Sequence, residues 1–119
     1  DEITKRLRFL DRYCNERIHS ADSRVMMIYH PAYTYYANDY NIKQIAIETD
    51  GKEPSPKQLI ALVNTAKRFG VKHIFIQPQY SIDKVETIAH ECNCDIIITD
   101  PLAEDIEGEI RRITDLITE

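Results

Sequence analysis

Four histidines, three cysteines and twenty carboxylates are the side chains of this 119-residue sequence that could ligate a metal, carry a proton or attack an electrophile. The thiols are poorly placed for attack. Cys92 and Cys94 sit beside Glu91 and Asp95, whereas a reactive thiolate needs an electropositive setting. Two other residues stand out by position. His30 closes the apolar run RVMMIY and directly precedes Pro31. Asp100 closes the run DIIIT and directly precedes Pro101. Both runs have strand length, so an imidazole and a carboxylate occupy equivalent strand ends. Together they make half of a four-coordinate zinc or manganese shell. A metal takes the neutral imidazole. Pro31 fits the first turn of a helix, and a helix N-terminus at His30 would disfavour the imidazolium. Taken singly, an isolated His is more often structural and an Asp before Pro is more often a plain helix cap. The matching positions are what raise the pair above either alone.

The remaining histidines carry less. His90 falls off the apolar stripe of its helix, His19 closes the first helix, and His73 lies at the wrong end of its strand for a site at the carboxyl edge. Tyr29, Tyr33, Tyr35, Tyr36 and Tyr40 could wall a site, but Tyr33, Tyr36 and Tyr40 at helical spacing read more simply as core. With only three glycines there is no dinucleotide or P-loop motif, and no GxSxG, HExxH or EF-hand pattern is present. A formal charge of -5 with scattered Lys and Arg argues against nucleic acid as a partner. The apolar runs are far shorter than the ~20 residues of a membrane helix. Three cysteines cannot complete a disulfide framework. Cys92 and Cys94 are too close in sequence for an easy bridge, so free buried thiols are expected, with a bridge from Cys14 as the other possibility. The chain opens on Asp1 without methionine and reads as a processed or excised piece.

The elements that must position His30 and Asp100 alternate. Helices are expected over 1–20, from Pro31 to about 40, over 56–69, 81–92 and about 104–117, and strands over 24–29, 44–48, 72–77 and 95–99. Ile3, Leu7, Leu10, Cys14 and Ile18 form the apolar stripe of the first helix, and Ile106, Ile110, Ile113 and Ile117 face inward from the last. Ser55, Pro56 and Gln58 form a capping-box signature before the stripe Leu59, Leu62, Val63, Ala66 and Phe69. Short β-branched strands separated by amphipathic helices specify an α/β fold: a four-stranded, mostly parallel sheet with helices on both faces. The expected strand order is 2-1-3-4, with ligands beyond the carboxyl ends of the strands. His30, the loop after Glu48, Gln77–Gln79 and Asp100 all fall there.

Three segments carry a family resemblance: YHPAYTYYANDYNIKQIAI, GKEPSPKQLIALVNTAKRFGVKHIFIQPQYS and CDIIITDPLAED. In order and spacing they resemble the C-terminal lobe of the zinc- and manganese-binding receptors of bacterial ABC transporters. The resemblance implies two α/β lobes joined by a long helix, with the metal between them. Residues 1–20 would be a lead-in from or after that helix, and residues 21–119 the C-terminal lobe. His30 and Asp100 would be this lobe's ligands, and the other two would come from an N-terminal lobe. It further implies zinc capture, with manganese as the alternative metal, delivery to a membrane permease, and a periplasmic or cell-surface lipoprotein address. The isolated lobe should hold metal weakly. No enzymatic activity is expected. The competing class is a flavodoxin-like signalling domain or a metal-dependent hydrolase. A receiver needs acidic residues at the end of its first strand, where this chain has Tyr29 and His30.

Overall fold

A computed structural model describes residues 1–21 and 24–119. In chain order the elements are α1 (Glu2–His19), β1 (Val25–Ile28), α2 (Thr34–Asp39), β2 (Lys43–Ala46), α3 (Pro56–Arg68), β3 (His73–Ile76), α4 (Asp83–Cys92), β4 (Asp95–Ile98) and α5 (Ile106–Ile117). The strands form one sheet in the order β2-β1-β3-β4, and every pair is parallel. The expected architecture and strand order are therefore both present.

Strand periodicity divides the core. Successive side chains of a strand point to opposite faces. Met26, Ile28 and Phe75 accordingly join Cys14, Ile18, Tyr33, Tyr36 and Ile113 on the face covered by α1, α2 and α5. Met27, Ile74 and Ile76 join Ala66, Val85 and Ile88 under α3 and α4. A sheet buried on both faces needs near-continuous apolar strands, and that is why VMMI and HIFI show no alternation in sequence.

Local signals fix the helix ends. Ser55 Oγ accepts from Gln58 N–H at 3.2 Å, and Gln58 Oε1 accepts from Ser55 N–H at 2.9 Å, which completes the capping box of α3. Asn41 and Asn93 take the left-handed conformation just beyond α2 and α4, at φ 55° and 56°.

Three expectations need correction. Pro31 does not open a helix. α2 begins at Thr34, so residues 31–33 separate His30 from it. The first half of the α1 stripe is not core: Ile3 and Leu7 are exposed, Leu10 is half-buried, and only Cys14 and Ile18 are fully covered. Ile106, expected to face inward from α5, is also exposed.

Candidate metal centre

His30 lies two residues past β1, and its ring is held by a residue that follows β2. Between Thr49 and Lys52 two backbone hydrogen bonds of 3.0 and 2.9 Å close a turn whose central residues, Asp50 and Gly51, have φ of 52° and 78°. Two consecutive positive φ values define the type I′ turn, for which Asp-Gly is a preferred pair. The turn folds Gly51 N–H back onto Glu48 Oε2. Glu48 Oε1 then lies 2.7 Å from His30 Nδ1. The Glu48 side chain is 5 % exposed and the imidazole 45 %. A carboxylate can only accept, so Nδ1 carries the proton. In the neutral ring Nε2 is then left with the lone pair. Carboxylates on the far nitrogen orient metal-ligating histidines in this way.

No helix begins at Pro31, so no helix terminus acts on the His30 ring; what Glu48 supplies is the choice of which ring nitrogen carries the proton. The backbone of His30 is fixed as well. Gln77, at the end of β3, donates from Nε2 to the His30 carbonyl at 2.8 Å. Tyr80 stands beside the imidazole with ring centroids 6.0 Å apart.

Asp100 is held from α5. Glu109 Oε2 accepts from Asp100 N–H at 2.9 Å and from Thr99 Oγ1 at 3.1 Å. Arg112 donates to Glu109 Oε1 at 2.7 Å and to the Ile98 carbonyl at 2.6 Å. Arg112, first among these partners, holds the Glu109 carboxyl below the usual carboxylate range against the opposing effect of burial, and Asp100 N–H and Thr99 add to it. On the other side of Thr99, the Tyr33 hydroxyl lies 2.5 Å from Oγ1. The strand end is thus gripped from α5 and from the residue that precedes α2. The Asp100 carboxylate accepts from Leu102 N–H at 2.9 Å through Oδ1. That is a local Asx turn, not the helix cap that Pro101 suggested, because α5 begins only at Ile106.

His30 and Asp100 stand at the same edge of the sheet but not side by side. β3 runs between their strands, so their backbones are roughly 10 Å apart at ~4.8 Å per strand, and side chains must reach inward to share an ion. Gln77 occupies the strand end between them. Among the described residues no group of three or more His, Cys, Asp or Glu is arranged to hold a metal. The donors here are one nitrogen and one carboxylate, a borderline set that suits zinc and leaves coordination positions to be filled from elsewhere.

Sequence reasoning missed Glu48 and Glu109, and placed Gln77 at the ligand edge without giving it a role. Glu48 carried one usable signal, its place two residues before Asp-Gly. Glu109 carried another, its i,i+3 spacing to Arg112. The cysteines are free, as expected, but only Cys14 is fully buried; Cys92 and Cys94 are half-buried.

The family model described as "Zinc-uptake complex component A periplasmic", ZnuA, matches residues 1–118. Zinc-binding protein AdcA of Streptococcus pyogenes serotype M1 is 28% identical over 116 residues, covering 96% of this chain and 22% of that protein. Zinc-binding lipoprotein AdcA of Streptococcus pneumoniae (strain R6) is 27% identical over 100 residues, covering 82% of this chain and 20% of that protein. A crystal structure of ZnuA superposes with a TM-score of 0.86 at 32% identity, covering 94% of this chain and 44% of that one. A zinc-bound ZnuA deletion mutant gives 0.82 at 31%, covering 95% and 45%. The chain therefore spans about a fifth of the length of these curated relatives and under half of the solved chains. With a model match over nearly its whole length and a fold that agrees, the chain belongs to the ZnuA family of zinc-uptake solute-binding proteins.

Proposed function

We propose that this chain is the C-terminal lobe of an extracytoplasmic receptor that captures zinc and delivers it to an ABC importer. His30 Nε2 and the Asp100 carboxylate are its share of the zinc ligands, and an N-terminal lobe supplies the rest. The observation that carries this reading is the His30–Glu48 pair. A shielded carboxylate 2.7 Å from Nδ1 fixes the tautomer that offers Nε2 to an ion. The zinc-binding relatives and the family's zinc-uptake description support the choice of cargo. Zinc is favoured over manganese because an imidazole nitrogen suits zinc, while manganese prefers oxygen-rich shells.

A His–Glu pair could also activate a nucleophile in an enzyme. No hydroxyl or thiol is hydrogen-bonded to His30 among the described residues, and its ring contacts are Glu48 and Tyr80. Capture fits these surroundings and hydrolysis does not.

The test is zinc affinity in the two-lobe protein, measured by competition with a chromophoric chelator. His30→Ala is expected to weaken zinc strongly while the circular dichroism spectrum and melting temperature stay near the parent's. Unchanged affinity would remove His30 from the site.

A further inference from the structure

We propose a second divalent-cation site at the opposite edge of the sheet, built from His73 and Asp95. These residues open β3 and β4 and are directly paired in the parallel register. Position alone makes His73 an unpromising ligand for the carboxyl-edge site. The structure gives it surroundings of its own. Its side chain is 10 % exposed. Nε2 contacts the Glu119 carboxylate, which can only accept, so Nε2 carries the proton and Nδ1 presents the lone pair. Nδ1 is buried and has no hydrogen-bond partner among the described residues. A buried acceptor left idle is costly, so a species that fills it is favoured.

The gap has the dimensions of an ion. Asp95 Oδ2 lies 3.8 Å from Nδ1, beyond the ~2.7–3.2 Å of a direct hydrogen bond. Two metal bonds of about 2.0–2.2 Å each span as much as ~4.2 Å when the angle between them opens. The 3.8 Å separation lies within that span, and closing it by a few tenths of an ångström would bring the angle toward tetrahedral. Glu119 on the far nitrogen repeats the carboxylate–imidazole arrangement seen at His30. Asp95 is 82 % exposed, so water can complete the shell. A cavity of about 320 Å³, lined in part by Gly70, Lys72, His73, Leu116 and Thr118, opens beside His73 at this edge. Lys72, the lysine among the described residues lining this cavity, donates from Nζ to the Glu119 main-chain carbonyl at 3.2 Å. The carboxylates of Asp95 and Glu119 outnumber this ammonium beside the imidazole. Two protein ligands make this a weaker, exchangeable site, separate from the capture site by the length of the strands.

The experiment uses the full-length protein with His30→Ala, so that the carboxyl-edge site is impaired. Zinc is titrated while ¹⁵N shifts of the histidine side chains are followed by NMR, and cobalt(II) absorption is read in parallel. The expected result is a saturable zinc-dependent shift at His73 Nδ1, moved at least tenfold to higher zinc by Asp95→Asn and abolished by His73→Gln. Asp95 is exposed, so its variant carries the test if His73→Gln fails to fold. A His73 that titrates with protons but shows no zinc-dependent shift would overturn the site, as would a shift unaffected by Asp95→Asn. His30 binding and His73 binding are read at different resonances, so failure of one is distinguishable from failure of the other.

Discussion

Glu48 and His30 show how a residue's chemistry depends on a neighbour 18 positions away. His30 and Asp100 could be read from the sequence because both end apolar runs and both precede proline, which are local facts. The role of Glu48 could be read only in part, since Asp50-Gly51 signals the turn but not the strand pairing. It depends on the β1–β2 register, in which Ile28 lies opposite Ala46, and on a turn that brings Gly51 N–H onto its second oxygen. Removing such a carboxylate typically costs about 10–100-fold in metal affinity. Glu48→Ala should therefore weaken zinc by that order in the two-lobe protein, and Glu48→Gln should weaken it less, since its amide oxygen can still accept from Nδ1–H. Equal zinc affinities for wild type and Glu48→Ala, by chelator competition, would show that His30 needs no such support. The cysteines allow a second residue-scale prediction. Burial above all, and then the neighbouring Cys92 thiol, push the Cys94 thiol up to about 11. The thiolate is the reacting species, so Cys94 in the folded protein should resist iodoacetamide at pH 8 and be alkylated readily in denaturant. Mass spectrometry of the labelled peptides reads this directly.

Among elements, α3 was legible in full because its start depends on three adjacent residues, Ser55, Pro56 and Gln58. α2 was misread for the opposite reason. Pro31 is compatible with a first helical turn but does not require one, and nothing in its immediate sequence told the two apart. In the fold, Tyr33 is drawn to Thr99 at the end of β4, a tertiary contact invisible along the chain, and the helix starts after it. α5 positions the site more than its sequence implied. Through Glu109 and Arg112 it grips Ile98, Thr99 and Asp100. The Glu109 side chain is 11 % exposed, and hydrogen bonds to a charged group contribute about 1.5–3 kcal/mol each. Glu109→Gln keeps the shape but loses the charge and one acceptor. It is expected to lower stability in urea by about 1–3 kcal/mol and to weaken zinc by loosening the loop that carries Asp100. Loss of stability with zinc affinity intact would limit Glu109 to a structural role.

At the scale of the molecule, the sheet order was legible because the alternation of elements and the handedness of crossovers leave few topologies. The full ligand set was not, because on the proposed reading part of it comes from outside these residues. A four-coordinate ion with only His30 and Asp100 from this chain must fill its shell with water. The isolated chain should therefore fold cooperatively yet hold zinc orders of magnitude more weakly than the two-lobe protein. Calorimetric titration of both, at the same pH and ionic strength, checks this. Tight one-to-one zinc binding by the isolated chain would contradict it.

Arg112 has an effect unconnected with zinc. β4 is the last strand of the sheet, and an outermost strand offers its unpaired backbone to any passing chain. The guanidinium that steadies Glu109 also occupies the Ile98 carbonyl, at the end of a strand only four residues long. Ile98 itself is half exposed. A short border with a charge seated on its last carbonyl is a poor template for edge-to-edge growth. The contact that orders the Asp100 loop thus also helps keep crowded copies of this protein from knitting together.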